Sequence, residues 1–302
     1  MADRFIQFVF FGNIFVGLLA VALSIETSVQ LDEPLNNPAC YLLLFFVTMA
    51  YYTYAYQHVP VSEHHHNPRT KWYGRNRVFV MWNMRVSVLM SGIIVLFLLY
   101  TNLSGFLGLP IGYWFFATLV VIAVILYYGL LPRSYLKLNL RDTAFLKAFI
   151  IGFVWASCVN IFPLVMLRIQ GGVAFSDFSL VVWLFIKTFM FCTVNAIMFD
   201  IKDYAEDANR HLKTFVVRFG LRRTIFQILI PLLMVGVISF LIFGYHRHFG
   251  FVSILINLVP FAASLAVAYS LHKRQNILYY LVVIDGLLLL KAFCGILAKQ
   301  FI

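Results

Sequence analysis

Four carboxylates stand directly behind an apolar stretch. Asp200, Asp203, Glu206 and Asp207 follow "FIKTFMFCTVNAIM" and open the segment "FDIKDYAEDANRHLKTFVVRFG", residues 199–220. Asp200, Asp203 and Asp207 are spaced i, i+3 and i+7, so a continuous helix carries them on one stripe, with Glu206 flanking it. Like charges at this spacing repel, and a bound cation reverses that cost. Mg²⁺ takes oxygen ligands, usually one or two carboxylates together with phosphate oxygens and water. The spacing therefore suits a metal-bridged diphosphate, with Arg210, Lys213 and Arg218 following as partners for the remaining phosphate oxygens. The plain alternative is a solvated helix end paired locally with Lys202 and Arg210. A bare D-x-x-D-x-x-x-D is a weak signal, strengthened here by its place directly behind a membrane-length block.

The elements that must position these acids are apolar almost throughout. The chain has 302 residues, 62% hydrophobic and 12% charged, against about 25% charged in ordinary soluble domains. Nine blocks, approximately 5–25, 40–57, 78–100, 112–131, 144–168, 178–199, 224–243, 251–270 and 277–299, approach the length needed to cross a bilayer. Backbone hydrogen bonding inside lipid makes them helices. The expectation is an all-α polytopic bundle of about nine transmembrane helices, forming a single domain over residues 1–302. The first block reads as a span or anchor, because no small-residue cleavage site follows it. Cys40, Cys158, Cys192 and Cys294 lie in or beside apolar blocks without a C-x-x-C pair, so neither a metal site nor a disulfide framework is indicated.

The net charge of +11 would suit nucleic acid, but its distribution argues against that partner. When connections are assigned alternately to two sides, one side collects most cations, among them Arg69, Arg75, Arg77, Arg133, Lys137, Arg141, Lys202 and Arg210. The other holds few, near helix ends. This is the positive-inside pattern. It predicts a cytoplasmic N-terminus, a C-terminus on the opposite side, and a carboxylate cluster at the cytoplasmic face. Three longer polar connections on that side, 58–77, 132–143 and 200–223, mark it as the place for a site.

The segment resembles the second aspartate-rich motif of the UbiA superfamily of intramembrane prenyltransferases. Asp200, Asp203 and Asp207 are followed by "HLKT", with Lys213 and Thr214, and by "VVRFG", ending in Gly220. "LYYGLLPRSYLKLNLRDTAFLKAFIIGFVWASCVNIFPL" is similar to that family's fourth-to-fifth helix connection, and "NIFVGLLAVALSIET" to its first span. The resemblance implies two aspartate motifs, on the second and sixth helices, holding Mg²⁺ around a prenyl diphosphate. It implies a Lewis-acid role for the metal, an allylic cation stabilised by aromatic faces, and capture by an acceptor that is often an aromatic ring. Carried onto this chain, Asp200, Asp203 and Asp207 are the metal-binding and catalytic acids, and Arg69, Arg75, Arg210 and Lys213 hold the diphosphate. Tyr52, Tyr56 and Tyr128 are candidates for the wall of a prenyl tunnel. Partners are the bilayer and the prenyl diphosphate, and nothing in the sequence sets an oligomeric state.

The chain departs from the family pattern at the second block. "YYTYAYQHVPVSEHHHNPRTKWYGRNR" carries no Asp, and its first acid is Glu63. Tyrosine is a poor ligand for a hard metal. Three successive histidines, His64 to His66, on an extended loop do not converge as helical i, i+4 pairs do. Lys187 and Lys291 are expected to snorkel to the far interface, whereas Asp285, in "LVVIDGLLLL", lies near mid-membrane and calls for a partner or a role. Two other functions compete: a degenerate relative that binds isoprenoid lipid or a partner without turnover, and a small-solute transporter. Paired, broken-helix repeats that would favour the transporter are not visible.

Overall fold

The computed structural model describes residues 2–57, 68–128, 146–173, 177–209 and 214–301. Every regular element among them is helical. The first half contains α1 (Ala2–Phe11), α2 (Ile14–Gln30), α3 (Pro38–Gln57), α4 (Pro68–Arg75), α5 (Arg77–Thr101), α6 (Leu103–Leu107), α7 (Ile111–Tyr128) and α8 (Leu146–Ala156). A π turn, Ser157–Ile161, leads into α9 (Phe162–Gly171), followed by α10 (Phe178–Lys202), α11 (Tyr204–Asn209), α12 (Phe215–Phe219) and α13 (Leu221–Arg223). A second π turn, Thr224–Leu229, precedes α14 (Ile230–His246) and α15 (Phe251–Ser270). After α16 (Ile277–Tyr279) a third, Tyr280–Ile284, opens α17 (Asp285–Lys299).

Seven helices among the described residues are long and apolar enough to cross a membrane: Pro38–Tyr56, Arg77–Thr101, Leu146–Gly171, Phe178–Lys202, Leu221–His246, Phe251–Ser270 and Ile277–Lys299. The first apolar block does not run straight. It breaks at Gly12 and Asn13, and Arg4–Phe11 and Ile14–Gln30 meet at 58°. Asn13 holds φ at 63°, a left-handed conformation that asparagine tolerates better than most residues. The fourth block gives a shorter apolar helix, Ile111–Ile125.

Lipid tails are as apolar as leucine, so close backbone approach and van der Waals contact must hold such helices together. Ala148, Gly152 and Ala156 follow one another every four residues on α8, and all three are buried. A Cβ on Gly152 would meet the carbonyl oxygen of Phe189 on α10 at 2.8 Å, so the two helices approach as closely as only small residues allow. α17 packs on both α15 and α2 and closes the bundle. The core runs through Leu23, Phe191, Ile197, Leu229, Phe261 and Leu288.

The far half of the bundle corrects one expectation. Lys187 and Lys291 do not snorkel; both are buried. Lys291 Nζ lies 2.7 Å from Glu26 Oε2, and Lys187 Nζ donates to Asn257 Oδ1 at 2.9 Å. Glu26 stands thirteen residues along from Asn13, about 20 Å at helical rise. A lysine with a carboxylate or amide oxygen in reach inside the bundle gains more by pairing than by stretching toward water.

Candidate functional site

The helix carrying the carboxylates is interrupted at Asp203 rather than continuous. α10 ends at Lys202, Asp203 caps it with its amide on Phe199 O at 3.3 Å, and Asp207 sits in α11 with its amide on Asp203 O at 2.8 Å. The ladder is nearly unbroken, so all three aspartates still turn toward one space. That space is a cavity of about 340 Å³, within the size range of small-ligand pockets. α2, α3, α4, α7, α8, α10, α11 and α17 all contribute to its walls.

Asp200 is almost wholly buried, and its Oδ1 accepts from Lys147 Nζ at 2.6 Å. Its Oδ2 is buried without a hydrogen-bond partner. Lys202 Nζ lies 3.2 Å from Asp203 Oδ1. Lys147 is a cation one turn inside an apolar block; the sequence marked it only by that isolation, because its partner is 53 residues away.

Across the cavity, where a second acidic motif would stand, the chain has a different corner. Arg69 on α4 is buried, with its guanidinium 3.7 Å from the centroid of the Tyr56 ring. It donates to Asn13 Oδ1, while Asn13 Nδ2 donates to Thr53 Oγ1 at 3.1 Å and to the Tyr73 hydroxyl at 3.0 Å. The break between α1 and α2 therefore delivers one amide whose donors and acceptor tie α3 and α4 together. Burial pushes the Tyr73 phenol up from its ordinary range, and the neighbouring Arg69 charge works in the opposite direction. On α3, Tyr52 accepts from Trp155 Nε1 at 2.9 Å.

Of the residues expected from sequence, Asp200, Asp203, Asp207, Arg69, Tyr52 and Tyr56 meet at this cavity. Arg75 is exposed on α4 and does not line it. Arg210, Lys213, Glu63 and His64 to His66 lie outside the described residues, as does the side chain of Tyr128; its neighbour Tyr127 lines the cavity. The structure adds Lys147, Lys202, Asn195 and Asp285 to the lining. A lone lysine or asparagine in an apolar block was the available signal for Lys147 and Asn195; Lys202 had been read as a local partner of the acids, and depth had already singled out Asp285.

Among the described residues no three His, Cys, Asp or Glu side chains already form a metal cage. The donor set nonetheless fits Mg²⁺ shared with a phosphate, which asks for only one or two carboxylates. Asp200 Oδ2 is an oxygen without a proton donor, and charge counting points the same way. Arg69, Lys147 and Lys202 face Asp200, Asp203, Asp207 and Asp285 across the described lining, a formal excess of one negative charge. A diphosphate added to that lining meets net repulsion unless a divalent cation bridges it to the carboxylates.

A model of the UbiA prenyltransferase family matches residues 74–278, more than half of the chain. The match includes α10 and its aspartates and starts beyond α3 and Arg69. Comparisons with curated proteins and with solved structures find no match.

Proposed function

The chain belongs to the UbiA prenyltransferase family, and from that premise we propose that it transfers a prenyl group from a polyprenyl diphosphate to an acceptor within the membrane. The support is the meeting of Asp200, Asp203 and Asp207 with Arg69, Lys147 and Lys202 on one cavity with aromatic walls. Asp200, Asp203 and Asp207 are the residues that hold Mg²⁺. When bound there, the ion neutralises the leaving diphosphate as a Lewis acid.

The protein's own groups supply the rest. Arg69 and Lys147 present fixed positive charge to the diphosphate, and Arg69 is preorganised by Asn13 and Tyr56, so little reorganisation is left to the reaction. Arg210 and Lys213 are further cations next along the chain. Breakage of the allylic C–O bond puts positive charge on the prenyl carbon, which the faces of Tyr52, Tyr56 and Trp155 stabilise. The apolar part of the lining limits water at that carbon, so that capture by an acceptor outpaces slow hydrolysis. The basic connections orient the bundle with its N-terminus and its site toward the cytoplasm.

Purified protein in detergent should release diphosphate from members of a prenyl diphosphate panel, and a chelator should stop the release. A second reading keeps the family fold without turnover. The observation favouring it is the acid-free α3 corner, and it predicts tight prenyl diphosphate binding with no release. Absence of both binding and release would remove the prenyl-transfer reading.

A further inference from the structure

Among the described carboxylates of the cavity, Asp285 is the one that belongs to a different wall. It opens α17 directly after the π turn Tyr280–Ile284. Such turns widen a helix and re-aim the side chains beside them. Asn195 Nδ2 of α10 donates to Ile284 O at 2.9 Å, tying the turn to the helix that carries the aspartates. Asp285 lines the cavity and makes no hydrogen bond or ion pair with another described residue. Its charged neighbours, Arg69 and Lys202, and the phenol of Tyr52 act on it only across space. A carboxylate held in the membrane without a contact partner, facing a cavity, is set up to meet a ligand.

Resting on the prenyl-transfer reading, we infer that Asp285 receives the acceptor: it takes a hydrogen bond from an uncharged phenolic substrate, removes the proton released on prenylation, and disfavours aromatic acids. The step balances without a further reagent. The allylic C–O bond breaks and its electron pair leaves on the diphosphate. A π pair of the phenolic ring forms the new carbon–carbon bond to the prenyl carbon. The ring proton at that position passes to Asp285, and aromaticity returns. A phenol donates to a carboxylate and lies against Tyr52 and Trp155. A ring bearing its own carboxylate places that charge beside Asp285, which makes no hydrogen bond or ion pair with another described residue, and is repelled.

The test uses full-length protein with Mg²⁺ and geranyl diphosphate, and two acceptors that differ by one carboxylate, 1-naphthol and 1-hydroxy-2-naphthoate. Diphosphate release is measured without acceptor, when water takes the prenyl group as geraniol, and prenylated product is measured with acceptor. Wild type should prenylate 1-naphthol at least about tenfold faster than the acid. Asp285→Asn should lower transfer to 1-naphthol by about a hundredfold, the usual scale of a lost general base, with diphosphate release within about threefold of wild type. Asp285→Glu should recover part of the transfer, and the retained release shows that both variants fold. Equal use of the two acceptors by wild type, prenylation of neither, or transfer by Asp285→Asn within about threefold of wild type would overturn the inference. A parallel fall of release and transfer in both variants would do the same, assigning Asp285 to the diphosphate end. A wild type that releases no diphosphate at all is a separate result, and it removes the prenyl-transfer reading instead.

Discussion

Two corners of one cavity carry opposite chemistry. At the end of α10 three aspartates face the cavity, and two of them are already matched by lysines, Lys147 on Asp200 and Lys202 on Asp203. At the junction of α3 and α4 no carboxylate is present among the described residues; a buried arginine is clamped between an asparagine and a tyrosine ring. Under the proposed function, one corner takes an added cation to accept an anionic substrate, and the other brings its cation covalently. Under that proposal, a corner without acids can still serve as an anion site. A guanidinium supplies fixed charge where metal and carboxylate would otherwise do so, at the cost of a coordination position.

The largest effect that tests this contrast is expected at the acidic corner. Asp203→Asn should lower prenyl diphosphate turnover about a thousandfold, roughly 4 kcal/mol of transition-state stabilisation, and should weaken Mg²⁺ binding measured by calorimetry. Turnover and affinity unchanged would place the chemistry elsewhere. At the opposite corner Arg69→Ala should cost about a hundredfold in kcat/KM while leaving Mg²⁺ affinity in the absence of substrate within about threefold. A lost metal affinity would mean that the corners are not separable. Asn13→Ala keeps the guanidinium but removes its clamp, and a loss of about tenfold is expected; an effect as large as that of Arg69→Ala would assign Asn13 a direct part.

The smallest effect lies far from both corners. Asp177 accepts from Arg247 at 2.5 and 2.8 Å and caps α10 through Leu180 N at 3.0 Å. The Arg247 hydrogen bonds, followed by the Leu180 amide, hold the Asp177 carboxyl below its usual range. A carboxyl lowered in the folded state contributes stability above its unfolded pKa and loses it as pH falls through the folded value. Both side chains are about one-third exposed, so Asp177→Asn should cost less than about 1 kcal/mol at neutral pH and flatten the acid limb of a thermal melt. Turnover per folded molecule should not move.

How much of this was legible in the sequence depended on contrast with the background. Asp200, Asp203 and Asp207 were readable because acids are costly behind a membrane span, and their spacing survives the interruption at Asp203. Arg69 was readable only as one basic residue among many, since a cytoplasmic-type connection is basic for topological reasons. Its role comes from Asn13 and Tyr56, which lie 56 and 13 residues away in sequence. Lys147 and Lys291 were obscure for the same reason: pattern reading sees neighbours along the helix, and their partners are 53 and 265 residues away. Helical class and membrane-spanning character follow from composition. The break in the first block does not, because "FFGNIF" keeps its apolar periodicity through a residue with positive φ.

The pair of Glu26 and Lys291 carries a consequence for how the molecule is made. Its members sit on α2 and α17, nearly at opposite ends of the polypeptide. Each alone in hydrocarbon is strongly unfavourable, because a buried ion stripped of its counter-ion keeps its full desolvation penalty. During synthesis the helix bearing the glutamate enters the bilayer long before its lysine exists. It must wait near lipid headgroups or another polar partner, and the ring of helices can lock only after α17 arrives.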